Sequence, residues 1–349
     1  MSKVLNSIEA MQLFEVAKAH QFAMPAVNVV STGSVNAALE AARDVNSPVI
    51  VQFSNGGALF FAGKSLNNAS ERAAIAGGVS GAQHIHAIAD LYGVDVILHT
   101  DHAARKLLPW VDGLLDAGER HYKATGRPLY TSHMLDLSEE SVKENIETCK
   151  RYLERMHKLD MILEIELGVT GGEEDGVDNS DIDNARLYTQ PEEVAYAYRE
   201  LSSVSPNFTI AAAFGNVHGV YKPGNVQLTP KILKNSQEHI QQQFGTGSNP
   251  VNFVFHGGSG SLKSEIEDAL NYGVVKMNVD TDTQYAFTRP IAAHMFSNYD
   301  GVLKVDGEVG NKKVYDPRSY LKKAETSMSE RVVEACNDLH SAGRSVSAG

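Results

Sequence analysis

A chain of 349 residues, 42% hydrophobic and 21% charged, has the composition of a folded globular protein with ample length for a large core. Its formal charge of −12 argues against nucleic acid as a partner, although backbone amides and one or two cations still suffice to hold a small phosphate. Two cysteines, Cys149 and Cys336, are too few for a disulfide framework or a thiolate metal site, and no apolar run reaches the roughly 20 residues of a membrane span; a reducing, cytoplasmic setting without a membrane partner is expected.

The chain opens with MSKVLNSIEAMQLFEVAKAHQF, an acid-bearing amphipathic pattern that lacks the apolar block of a secretion signal. Residues 1–24 are expected to form a helical leader. Eight short apolar runs bounded by turn residues follow: PAVNVVS (25–31), SPVIVQFS (47–54), VDVILHTD (94–101), LYTSHML (129–135), DMILEIEL (160–167), FTIAAAFG (208–215), NFVFHGG (252–258) and VVKMNVD (274–280). Helical patterns separate several of them. SVNAALEAARDV follows the first, AAIAGGVSGAQHIHAIADLY precedes the third, and SEESVKENIETCKRYLERMHK follows the fourth with a serine-rich start suited to an N-cap.

Strand–helix alternation implies a parallel α/β sheet. Eight repeats with no second compositional zone favour a closed (β/α)₈ TIM barrel, a single domain over 1–349 with additional N- and C-terminal helices, the latter from about 282 to 349. No GxGxxG follows the first run, so a dinucleotide fold has no support.

In such barrels the chemistry gathers at the C-terminal ends of the strands. Here those ends carry Asn28 and Ser31, Ser54, Asp101-His102, Asp136, Glu164 and Glu166, Asn216 and His218, His256 with Gly257 and Gly258, and Asn278 to Thr281. One difficulty attends Asp101 and His102. Neighbouring strand residues point to opposite faces, so the two share a site only where the strand has already turned.

Most of the thirteen histidines read as solvated or structural, His99 among them as a hydrogen-bonded interior residue. His102, His218 and His256 differ because all three fall on one rim. Three neutral imidazoles with an open fourth position make a catalytic Zn²⁺ site, whereas nearby carboxylates would favour a hard or dinuclear ion. No local metal signature such as HExxH decides between these and purely structural histidines. HGGSGS (256–261) and NVHGVYKPGN (216–225) suit a phosphate cradle, but tight βα turns need glycine as well. The segment 167–190 holds four glycines and six acids without a period. It reads as a lid, since the EF-hand spacing is absent, and Glu173 and Glu174 lie on it.

With these residues in hand, the chain resembles the class II, zinc-dependent fructose-1,6-bisphosphate aldolases of the longer, dimeric subgroup. VILHTDH, KLLPWVDGLLDAGE, LEIELG, TGGEEDGVDN, FGNVHGVYKPGNV, NFVFHGGSGS, VVKMNVDTDTQ and the YDPR at 315–318 carry the resemblance over nearly the whole chain. It implies reversible cleavage of fructose 1,6-bisphosphate to dihydroxyacetone phosphate and glyceraldehyde 3-phosphate through a zinc-stabilised enediolate. It implies catalytic Zn²⁺ on His102, His218 and His256, with Asp101 and Glu174 as the catalytic proton carriers. Asp136 and Glu166 match a second divalent-metal position. Asn28, Ser54, Gly219, Gly257, Gly258, Ser259, Asn278, Val279, Asp280, Thr281 and Arg318 match substrate-binding positions. A monovalent cation, Na⁺ or K⁺, near the phosphate and a homodimer are also implied. The departures, among them Ala103 and Val169 at common cysteine positions, touch no matched catalytic residue.

Three alternatives remain at this stage. The same chemistry on tagatose 1,6-bisphosphate differs at one stereocentre. Lys276, on the eighth run, could form a Schiff base or an ion pair in the barrel wall. A non-enzymatic metal-binding role is the third.

Overall fold

Asn6 starts the first helix. Its side chain accepts from the backbone N–H of Glu9, and the Glu9 carboxylate accepts in return from the N–H of Asn6, a reciprocal capping box. The helix α1 (Ser7–His20) buries Leu13, Phe14 and Ala17 against Met24, Ile50, Ile97, Ile162 and Val275, which lie near the starts of five barrel strands. The leader thus stoppers the N-terminal end of the barrel, and the C-terminal end is left for chemistry.

The computed structural model describes residues 3–168, 188–216, 228–258, 261–303 and 310–345, together with the backbone of 173–174 and 177–178. Eight parallel strands close the barrel in sequence order: β1 (Met24–Asn28), β2 (Val49–Phe53), β3 (Val96–Ala103), β4 (Ser132–Leu135), β5 (Ile162–Leu167), β6 (Phe208–Ala212), β7 (Phe253–Phe255) and β8 (Val274–Val279). Each falls within, or within two residues of, one of the eight apolar runs. The last pairs back to the first, with Ala26 beside Asn278 and Val27 beside Val279.

Alternation along each strand divides the core in two. On β5, Leu163, Ile165 and Leu167 join the large outer core between barrel and helices, whereas Ile162 joins the inner cluster around α1. The same parity sends Glu164 and Glu166 inward, above Ile162. Serines set several helix starts at the mouth. Ser31 caps α2 (Thr32–Asp44), Ser54 caps α3 (Asn55–Ala62), and Ser141 caps α6 (Val142–His157). After β8 the chain continues as α10 (Thr281–Ser297), two short turns and α13 (Pro317–Asp338), which packs on α2 and α10.

Two packing details carry testable consequences. A Cβ on Gly77, in α4 (Arg72–Tyr92), would lie 1.8 Å from the Ala58 carbonyl oxygen, so α3 and α4 meet backbone to backbone. Gly77→Ala is expected to lose about 2 kcal/mol or more of stability through overpacking, despite alanine's helix advantage of about 1 kcal/mol. A lowered urea midpoint reports it.

His133 is buried on β4 with Nδ1 2.7 Å from Thr100 Oγ1, and burial pushes its pKa down to about 3. The folded ring therefore stays neutral, whereas in the unfolded chain it titrates near 6.5. Below that pH the unfolded chain gains a proton that the folded protein refuses. Stability then falls by about 1.4 kcal/mol per pH unit down to about pH 3. His133→Asn is expected to flatten this slope, read from urea unfolding at pH 7 and pH 5.

Candidate active site

The difficulty at Asp101 and His102 is resolved by a bulge. The pairing of β3 with β4 shifts register between Thr100 and Ala103, and His102 takes φ +43°, in the left-handed region that a non-glycine residue seldom adopts. The extra residue turns the strand, so consecutive side chains both reach the mouth. Strained backbone of this kind at a strand end marks a place where position matters more than local stability.

Asp101 is fully buried. Its Oδ2 accepts from Gln52 Nε2 at 2.8 Å and from Asn28 Nδ2 at 3.4 Å, and Asn278 Nδ2 lies 3.3 Å away. Burial works to raise its pKa, but the charges of His102, Lys276 and His256 outweigh burial and hold it below the usual carboxylate range. The structure therefore holds an ionised acceptor, fixed by three amides.

The rings of His102 and His256 stand 4.6 Å apart at their centroids. His102 Nδ1 is 3.1 Å from Asp136 Oδ2 and 3.7 Å from Glu166 Oε2. His256 Nε2 is 3.0 Å from Glu164 Oε1, and its Nδ1 is 3.5 Å from Glu166 Oε2. Burial lowers the His256 pKa, yet the two carboxylates more than reverse this and raise it to about 9. Burial likewise raises that of Asp136, but its bond to His102 and those to Ser138 drive it down overall. This electrostatic field favours a cation between the imidazoles and acids. Ligand atoms of Asp101, His102 and His256 lie within 4.8 Å of one another, as do those of His102, Asp136 and Glu166 and those of His99, Asp101 and Glu164. Imidazole nitrogens with carboxylate oxygens suit a divalent metal such as Zn²⁺, so the donor set fits the ion that the resemblance implies.

Beside this cluster a cleft of about 440 Å³ opens between β1, β2, α3 and α10. Asn28, Ser54 and Asp280 line it. Ser54 Oγ also accepts from the N–H of Gly57, so its hydroxyl caps α3 as well as facing the cleft. Thr281 begins α10. Gly257 has φ +61°, and a Cβ on Gly258 would lie 2.7 Å from Met277 Cε, so packing against β8 is a second reason for glycine there.

Val279 and Arg318 do not line this cleft. The Val279 side chain is buried in the outer core, which leaves only its backbone for a ligand. Arg318 is exposed, pairs with Asp316 at 2.7 Å, and does not line the cleft. His218, Gly219, Ser259 and the Glu174 side chain lie outside the described residues. The backbone of Glu173–Glu174 pairs antiparallel with Val177–Asp178.

Sequence reasoning missed Gln52, which bonds Asp101 directly, and Lys64, which lines the cleft. Gln52 was findable, since it shares the inward parity of Ile50. Glu164 was placed on the rim by its sequence position but given no role there. Lys276 Nζ lies 2.8 and 2.9 Å from the two Glu164 oxygens, so the ion-pair reading of that lysine holds.

A closed parallel barrel with imidazoles and carboxylates converging at its C-terminal mouth defines a barrel protein with a metal-competent catalytic face. Residues 8–344 match the family of class-II fructose-bisphosphate aldolases. The chain is 58% identical to the fructose-bisphosphate aldolase of Edwardsiella ictaluri, over 97% of this chain and 99% of that one. It is also 58% identical to the class 2 fructose-bisphosphate aldolase of Escherichia coli K12, over 97% and 96%. The crystal structure of the Campylobacter jejuni fructose-bisphosphate aldolase superposes with a TM-score of 0.87 at 52% identity, covering 98% of this chain and 97% of that one. The chain belongs to the class II fructose-bisphosphate aldolases, a family of aldehyde-lyases. Among the described residues no helix is long and apolar enough to cross a membrane.

Proposed function

We propose that this protein reversibly cleaves fructose 1,6-bisphosphate to dihydroxyacetone phosphate and glyceraldehyde 3-phosphate, as a glycolytic and gluconeogenic enzyme of the cytoplasm. The observation that carries the reading is the convergence of Asp101, His102 and His256 at the mouth. His102 and His256, with His218, hold a catalytic Zn²⁺. That ion supplies Lewis-acid polarisation of the substrate ketone and stabilises the negative charge that develops on its oxygen.

The remaining steps belong to the chain's own residues. In the cleavage direction the Asp101 carboxylate takes the proton of the C4 hydroxyl as the C3–C4 bond breaks. The C4 oxygen becomes the aldehyde, and the bonding pair passes to C3 and the C2 carbonyl. Glu174 returns a proton to C3. In condensation the same atoms run in reverse, and Asp101 donates to the aldehyde oxygen. The amides of Gln52, Asn28 and Asn278 keep the Asp101 oxygens in place for this transfer.

The cleft lined by Asn28, Ser54 and Asp280 takes the phosphorylated chain of the substrate. Gly219, Gly257, Gly258, Ser259, Asn278, Thr281 and the Val279 backbone serve the dihydroxyacetone phosphate end. Asp136 and Glu166 would hold a second divalent metal, and a monovalent cation would serve the phosphate. The exposed Tyr285, Phe296 and Tyr299 on the C-terminal helices support a homodimer, within which Arg318 meets the far phosphate.

Tagatose 1,6-bisphosphate, with the same mechanism, is the alternative substrate. Steady-state turnover on both sugars tests the preference, and a larger kcat/KM for the fructose ester is expected. The buried pairing of Lys276 with Glu164 speaks against a Schiff base there. Borohydride with substrate should accordingly leave the enzyme active.

A further inference from the structure

Beneath the mouth, Lys276 and Glu164 form an ion pair at 2.8 Å, each side chain 3% exposed. Both Glu164 oxygens take the ammonium, at 2.8 and 2.9 Å. Oε1 also lies 3.0 Å from His256 Nε2, and Oε2 accepts from Thr209 Oγ1 at 3.4 Å. An ion pair so deeply buried is not explained by stability. Desolvation cancels much of its attraction, and apolar replacements are often as stable. What it does supply is orientation.

An ammonium gripping both oxygens leaves the carboxylate one setting. An ionised carboxylate only accepts, so the His256 nitrogen facing it must carry hydrogen. A metal takes the nitrogen that gives up its hydrogen, and with Nε2 kept as donor to Glu164 that nitrogen is Nδ1, which is turned toward Glu166 at 3.5 Å. His102 is held from its opposite nitrogen, with Nδ1 on Asp136 at 3.1 Å.

We propose that Glu164, clamped by Lys276, is a positioning residue that fixes the tautomer and orientation of His256 so that Nδ1 meets a divalent metal. The inference rests on the metal reading of the site given above. Carboxylate partners of this kind commonly contribute about 10–100-fold to metal affinity. Lys276 thereby has a role in the site without touching substrate.

The test is the Zn²⁺ dissociation constant of the full-length metal-free enzyme, by chelator competition. It compares wild type with Glu164→Ala, Glu164→Gln, Lys276→Met and Lys276→Arg, with circular dichroism and melting of the metal-free forms as the control for folding. Glu164→Ala and Lys276→Met should each bind Zn²⁺ about 10–100-fold more weakly. Lys276→Arg, whose planar guanidinium also spans two carboxylate oxygens, should recover most of that affinity. The visible spectrum of bound Co²⁺ should change in Glu164→Ala and stay close to wild type in Lys276→Arg.

A Glu164→Ala protein that melts like wild type and keeps both its Zn²⁺ affinity and its Co²⁺ spectrum overturns the proposal. If the alanine and methionine variants do not fold, Glu164→Gln decides. It keeps the shape but no longer offers Lys276 two equivalent acceptors, so it should bind Zn²⁺ more weakly, and unchanged affinity overturns the proposal. A wild-type enzyme that takes up no Zn²⁺ overturns the metal reading together with this inference. Wild-type uptake with indifferent variants removes this inference alone.

Discussion

Asp101→Ala is expected to retain zinc and lose about 10²–10⁴ in turnover, the range a positioned acid–base group contributes. The residue is fully buried, its oxygens are held by Gln52, Asn28 and Asn278, and neighbouring cations keep it ionised. An ionised, immobilised carboxylate beside the metal cluster is what the C4 hydroxyl needs during cleavage. The alanine variant removes the acceptor and spares both described imidazoles. Its KM should change less than its kcat, since Asp101 acts on the C4 hydroxyl rather than on a phosphate. Zinc content measured beside kcat separates a lost proton carrier from a lost metal. Wild-type kcat in this variant would take Asp101 out of the mechanism.

His256→Ala should cost at least about 10² in zinc affinity, more than loss of a supporting carboxylate alone, with activity falling in step. His256 is buried, sits 4.6 Å from the His102 ring, and is bracketed by Glu164 and Glu166. Removing it takes away one imidazole and leaves the two acids facing each other across the gap. Metal analysis after gel filtration should find the variant depleted. Excess zinc should restore only part of the activity.

The division between what could and could not be read from the sequence has physical causes. Strands such as Val49–Phe53 and Ile162–Leu167 are legible because buried parallel strands need near-continuous apolar runs. The rim residues follow from where those runs stop. The bulge at His102 is not legible, because nothing in HTDH marks a positive φ, and only the shifted pairing with β4 creates it.

Long-range pairing is hidden for a similar reason. Lys276 and Glu164 stand 112 positions apart, and nothing in the pattern of β8 says which acid the lysine meets. Its inward aim is obscured further by the register shift between Val274 and Lys276. Gln52 was visible in parity but not in role, since its importance comes from the register of β2 on β3, which sets its amide beside Asp101 on the neighbouring strand. The serines show a further limit. Ser54 is at once helix cap and cleft wall, and composition cannot separate those two uses.

The central claim is that a divalent metal held by imidazoles at the barrel mouth makes this protein an aldolase. Its most direct test is cleavage of fructose 1,6-bisphosphate by the purified chain, with product aldehyde and ketone oxidised or reduced by coupling enzymes. The rate is measured before EDTA treatment, after complete metal removal, and after addition of Zn²⁺. Activity should disappear with the metal and return with zinc. Cleavage that continues undiminished in fully metal-free protein would contradict the account.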